Sequence, residues 1–148
     1  MKFKSKIYLG YDDVQSMCEY LEDEISRFKP DVIVGVVRGG LLPALHFSHA
    51  LDRPLITIQW QTRDGTKRQV DPQVAAMIKF DRRVVFVDDI NDTGTTFSQL
   101  AEEYGNSDNV SFVSLVEKAT SQYKSNTSAL RIDDERWVVF PWEKDSGK

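Results

Sequence analysis

Asp88, Asp89 and Asp92 stand close together in the chain, and the small-residue stretch Thr93-Gly94-Thr95-Thr96 follows them directly. Ionised carboxylates only accept hydrogen bonds, so an adjacent pair suits the vicinal hydroxyls of a sugar and stabilises positive charge developing on its ring. A turn of small residues that opens a helix suits an anion. The first helical amides lack intrahelical partners, the positive end of the dipole points outward, and Gly94 permits close approach of the backbone. The residue types and their order describe a site for a phosphorylated sugar. The plainer alternative is a strand-to-helix turn with Asp92 as N-cap, which accounts for Asp92 and Thr93 but leaves three carboxylates converging at one strand end. A Walker-type loop requires a Lys after its glycines, and none follows Gly94.

The elements that must hold these groups can be read from periodicity. Residues 84–87 are apolar, three of the four being Val, which predicts a strand buried on both faces. Similar runs predict strands at 6–9, 31–37, 55–60 and 110–116. Val14, Met17, Cys18, Leu21, Ile25 and Phe28 recur at helical spacing, with Asp12 and Gln15 as a capping box and Pro30 as the stop. Further helices are expected at 41–51, at 71–80, where Asp71-Pro72 is a cap followed by a first-turn proline, and at 97–104. Alternating strands and helices predict a parallel α/β sheet, whose ligands bind outside the carboxyl ends of the strands. Arg38-Gly39-Gly40 falls at such an end. It reads as a second anion loop or as an ordinary strand-to-helix turn.

Between Trp60 and Asp81 the polar segment 61–70 carries three cations and the hairpin signal Asp64-Gly65, and reads equally as a mobile lid or a solvated hairpin. His46 and His49 lie three apart on a helix, but no carboxylate stands between them and no third ligand is identifiable, so packing or surface roles are expected.

At 148 residues the chain predicts one domain, 1–148, burying roughly 70% of its unfolded surface. Lys and Arg number 19 against 23 Asp and Glu, a net charge of −4 that argues against non-specific nucleic-acid binding but not against an anionic small molecule. The single cysteine, Cys18, cannot form an internal disulfide, which suits a reducing compartment. Neither a secretory signal nor a run of membrane-spanning length is evident, so a cytoplasmic protein without membrane partners is expected.

The run Asp88 to Thr96 resembles the PRPP-binding signature of type I phosphoribosyltransferases, two acidic residues, two mostly apolar ones and an Asp-Thr-Gly-x-Thr loop. A receiver domain also pairs carboxylates, but at the end of its first strand rather than this far along the chain. The resemblance implies that Asp88 and Asp89 hold the ribose hydroxyls and Mg²⁺, partly through water. It further implies that Asp92, Thr93, Gly94, Thr95 and Thr96 cradle the 5′-phosphate, that Asp92 is the catalytic residue beside the incoming base, and that Arg38, Gly39 and Gly40 bind pyrophosphate. Asn91 departs, standing where the family usually has an apolar residue, and its packing is left open.

Toward the C-terminus, Glu117-Lys118-Ala119 and Arg136-Trp137-Val138-Val139-Phe140-Pro141-Trp142-Glu143 resemble the branch that acts on 6-oxopurines, in particular bacterial xanthine-guanine enzymes. By that resemblance Lys118 donates to the base O6, Trp137 stacks on the ring and the Val138 backbone meets the base edge. The resemblance also implies a small base-binding hood from residues 119–143 and a homodimer or homotetramer, and it places 61–70 where the family has a flexible closing loop, without deciding between lid and hairpin. Adenine, orotate and uracil fit these base-side residues less well. A PRPP- or nucleotide-sensing regulator on the same fold is the rival reading.

Overall fold

The computed structural model describes residues 5–61 and 67–145. Among them the elements run β1 (Lys6–Tyr8), α1 (Tyr11–Phe28), β2 (Val32–Val37), α2 (Leu41–Leu51), β3 (Leu55–Gln61), β4 (Lys67–Arg68), α3 (Pro72–Lys79), β5 (Val84–Asn91), α4 (Thr95–Tyr104), β6 (Val110–Lys118), β7 (Thr127–Ile132) and β8 (Trp137–Val139). The main sheet has the order β4-β3-β2-β5-β6-β7, and every pairing in it is parallel except β3 with β4. This is the mostly parallel α/β sheet flanked by helices that the alternation of elements predicts.

Strand side chains alternate between two cores. Ile33, Val85, Val87 and Val113 pack with Leu21 and Ile25 of α1 and Ala44 and Phe47 of α2. Their neighbours Val32, Val34, Val84, Phe86 and Phe112 pack with Val74 of α3 and Phe97, Leu100 and Tyr104 of α4. With helices on both faces, apolar side chains on successive strand positions are buried, and each contributes about 1.5–3 kcal/mol by leaving water. The aromatic stack of Phe86 on Phe112, 5.4 Å between centroids, fixes the middle of the sheet beneath the end of β5.

Several boundaries differ from expectation. The N-cap of α1 lies two residues before the predicted one: Gly10 takes that place, and the Asp13 carboxylate accepts from its amide at 2.7 Å. Strand β5 runs on to Asn91 instead of ending at Val87, because β6 continues beside it with Ile90 opposite Val116 and Asn91 opposite Glu117. Asp88 and Asp89 are therefore strand residues. Strand β7 is not among the expected strands, since an edge strand with mostly half-buried residues lacks an apolar run. The helix at Asp71-Pro72 forms as predicted, with Asp71 Oδ1 accepting from the amides of Gln73 and Val74 at 2.9 and 3.0 Å.

The hood expected from residues 119–143 draws on both ends of the chain. Strand β8 pairs in parallel with β1, Lys6 opposite Trp137 and Tyr8 opposite Val139. Asp145 ties them further, accepting from Lys6 Nζ at 2.8 Å and from Tyr8 Oη at 2.7 Å. The 61–70 segment has hairpin pairing, Trp60 opposite Arg68 and Gln61 opposite Lys67, while residues 62–66, with the Asp64-Gly65 signal, lie outside the described residues.

Candidate active site

The chain moves outward from β2 to β3 and β4, then returns to place β5 on the other side of β2. Such a reversal opens a crevice at the carboxyl edge of the sheet between the two strands where the direction changes. The loops that leave those strands are Arg38-Gly39-Gly40, after β2, and Asp92-Thr93-Gly94, after β5. Topology alone brings the two candidate anion loops together.

A cleft of about 350 Å³ is lined by Asp88 through Phe97. A second, of about 600 Å³, is lined by Arg38, Gly39, Leu41, Leu42, Asp89, Trp142, Glu143 and Lys144. Asp89 borders both. Gly39 is required there, since a Cβ at this position would collide with the Asp89 carboxylate. The Val37–Arg38 peptide is cis, Arg38 is exposed, and Gly40 caps α2 with its amide donating to the Val36 carbonyl at 2.8 Å.

The turn after β5 is built without a carboxylate cap. Gly94, at φ 91°, is the N-cap of α4, and the alternative role of Asp92 as that cap does not hold. Asp92 is exposed at the strand end. Thr93 Oγ1 accepts from the Thr95 amide at 3.2 Å and meets Thr95 Oγ1 at 2.8 Å, so hydroxyls and amides crowd the helix start.

Asp88 and Asp89 are half-buried. Asp88 Oδ1 accepts from the Asp89 amide and Asp89 Oδ1 from the Ile90 amide, both at 2.8 Å. Burial lifts the Asp88 carboxyl well above the usual carboxylate range, and the charge of Asp89 beside it adds to the rise. Burial also raises Asp89, partly offset by its hydrogen bond with Asp88 and increased by nearby Glu143.

A raised carboxyl means the folded chain binds protons that the unfolded chain has released, so the pair's favourable contribution is present below the ordinary carboxylate pKa of 3.8 and is lost as pH rises through the raised values. Asp88→Asn, which keeps the acceptor for the Asp89 amide, is expected to melt higher than the parent at pH 7. Each kcal/mol relieved is worth about 2–4 °C in a chain of this size. The difference should shrink toward pH 4. Melting curves across that range check it, and equal melting temperatures at pH 7 would contradict the reading of a strained acidic pair.

On the base side, Lys118 is buried at the end of β6, and its Nζ donates to the carbonyls of Asp134, at 3.2 Å, and Arg136. The register of β5 and β6 sets Asn91 beside Glu117, so the residues that follow, Asp92 and Lys118, leave neighbouring strand ends. Trp137 is 50% exposed and Val138 is buried. The two histidines lie elsewhere: His46 meets Glu22 of α1 at 2.6 Å, and His49 is exposed.

A family model described as the phosphoribosyl transferase domain matches residues 8–145. The chain belongs to the phosphoribosyltransferase family. This phosphoribosyltransferase is 28% identical over 117 residues to the xanthine-guanine phosphoribosyltransferase of Cereibacter sphaeroides, covering 75% of this chain and 68% of the relative. It is 30% identical over 102 residues to the orotate phosphoribosyltransferase of Bartonella bacilliformis, covering 67% of this chain and 50% of that one. Among solved structures, the purine phosphoribosyltransferase from Pyrococcus horikoshii Ot3 matches with a TM-score of 0.80 at 33% identity over 95% of both chains.

One group near the turn escaped the sequence reading. Buried Asn91 and Glu117 hydrogen-bond to the loop 119–126, whose residues Ser121 to Tyr123 lie directly behind Gly94. Its only signal was Asn91 itself, an amide at the end of an otherwise apolar strand.

Proposed function

We propose that this phosphoribosyltransferase transfers the 5-phosphoribosyl group of PRPP to a 6-oxopurine (guanine, xanthine or hypoxanthine), releasing pyrophosphate and forming a nucleoside 5′-monophosphate. The observation that carries the reading is the junction of the two clefts at Asp89, with a phosphate-type turn on one side and a cationic glycine loop on the other. The purine names of two of the relatives just described support the base class.

In this scheme the C1′ bond to pyrophosphate breaks as a bond from C1′ to a purine nitrogen forms, through a ribose with oxocarbenium character. Asp88 and Asp89 accept from the ribose hydroxyls and face the developing positive charge. The amides and hydroxyls of Thr93 to Thr96 hold the 5′-phosphate at the head of α4. Arg38 and the amides of Gly39 and Gly40 hold the departing pyrophosphate, and Asp92 takes or orients the proton at purine N7. Lys118 keeps a third N–H for the base O6 after its two carbonyl bonds, Trp137 stacks on the ring, and the Val138 backbone meets the base edge.

Two adjacent half-buried carboxyls form a hard oxygen donor set that suits Mg²⁺, which takes one or two carboxylates and completes its shell with substrate oxygens and water. When bound, the ion neutralises charge on the pyrophosphate. Leu41, Leu42 and Leu45, exposed together along α2, support self-association as a homodimer or homotetramer.

The test is pyrophosphate release from PRPP and Mg²⁺ with guanine, xanthine, hypoxanthine, adenine and orotate in parallel. Turnover is expected with at least one of the first three. Turnover confined to orotate or adenine overturns the base assignment, and nucleotide binding without any turnover makes the protein a regulator.

A further inference from the structure

Asn91 and Glu117 are buried polar side chains for which the proposed chemistry has no use. Asn91 Nδ2 donates to Glu117 Oε1 at 2.9 Å and to the Tyr123 carbonyl at 2.6 Å. The same Glu117 oxygen accepts from the Ser125 amide at 2.6 Å. Burying an amide and a carboxylate is costly unless both are paired, and here their hydrogen bonds are directed at the loop 119–126.

That loop in turn reaches the turn after β5. The Gln122 amide donates to the Thr93 carbonyl at 3.0 Å, and the space behind Gly94 is filled, since a Cβ there would lie 2.5 Å from the Tyr123 nitrogen and 2.8 Å from Ser121 Oγ. In a trans peptide the C=O and N–H point in opposite directions. Tethering the Thr93 oxygen to Gln122 therefore turns the Gly94 N–H away from the loop. Glycine accepts either sign of φ, so nothing local to Gly94 prevents this peptide from rotating. The direction must be set from outside.

We infer that Asn91 and Glu117 are positioning residues which, through the 119–126 loop and its Gln122–Thr93 bond, fix the direction of the Gly94 amide and so the affinity of the turn for a phosphate. The inference rests on the reading of that turn as the 5′-phosphate site. It adds two residues of adjacent strands that act without touching the ligand, one of them at a position where a hydrophobic side chain is expected.

Calorimetry with ribose 5-phosphate as the probe and inorganic pyrophosphate as the control tests this, on the whole protein and on Asn91→Leu, Glu117→Leu, Glu117→Gln and Gln122→Pro. Loss of an aligned hydrogen bond to an anion is expected to weaken ribose 5-phosphate binding roughly 10-fold in Asn91→Leu, Glu117→Leu and Gln122→Pro. Pyrophosphate affinity should stay unchanged, and KM for PRPP should rise far more than kcat falls. Glu117→Gln keeps an acceptor oxygen for both donors and should remain within about 3-fold of the parent. Gln122→Pro removes the amide proton of the Gln122–Thr93 bond and fixes φ at an exposed loop position outside the core, so, with its melting temperature measured alongside, it carries the test even where a core variant fails to fold. Unchanged ribose 5-phosphate affinity in Gln122→Pro, or equal loss of both ligands in every variant, overturns the inference. A parent protein that binds pyrophosphate and PRPP but not ribose 5-phosphate overturns the phosphate-turn reading itself.

Discussion

Lys118→Met is expected to erase most of the preference for guanine over adenine. Lysine offers only donors, a 6-oxopurine presents an acceptor at O6, and adenine presents an amino group there. A buried site built around one such bond can reject the wrong base by as much as roughly 10⁴-fold. Lys118 is buried and already donates to the carbonyls of Asp134 and Arg136, so its ammonium is aimed rather than free to swing. The same two bonds give the substitution a second effect. Both carbonyls belong to the exposed segment that leads into Trp137, and losing each bond costs about 0.5–1.5 kcal/mol. Comparing kcat/KM for guanine and adenine in both proteins, with melting temperatures alongside, separates the two effects. An unchanged guanine-to-adenine ratio would mean that the base is read elsewhere.

Asp92→Asn is expected to lower turnover roughly 10²-fold or more while PRPP still binds, because the amide keeps the shape of the side chain and loses the proton acceptor. The structure sharpens this expectation, since Gly94 and not Asp92 caps α4. The substitution should therefore leave melting almost unchanged, whereas a capping carboxylate would have cost about 0.5–2 kcal/mol on removal. Steady-state kinetics with PRPP calorimetry decides between them. Unchanged turnover removes Asp92 from the chemistry.

The parts of this fold that sequence exposes are those in which local pattern and burial agree. Strand β2 and the first half of β5 are apolar at nearly every position because helices cover both faces, and α1 shows its buried stripe at helical spacing. The Asp71-Pro72 cap and the two glycine loops are written in residue types whose backbone preferences hold in most contexts. What stayed hidden depends on partners distant in sequence. Strand β8 is three residues long and is a strand because β1 lies beside it. Strand β7 is half-exposed at the sheet edge, so its Ser and Thr residues read as loop. The extension of β5 to Asn91 follows from the length of β6, and the role of Asn91 from a carboxylate twenty-six residues later. In the site, the acidic pair and the turn were legible as chemistry, whereas the tethering of Lys118 and the support behind Gly94 were not.

The pairing of β1 with β8 joins residues near opposite ends of the chain, whereas both anion loops are complete by Thr96. Contacts so far apart in sequence form late, since their loop-closure entropy has to be met before they contribute. During synthesis the sheet edge that carries the two loops can assemble while residues 137–139 are still being added, and the wall formed by β1 and β8 closes last. Any chain that stops short of Trp137 would therefore leave β1 without its partner and the crevice open on one side.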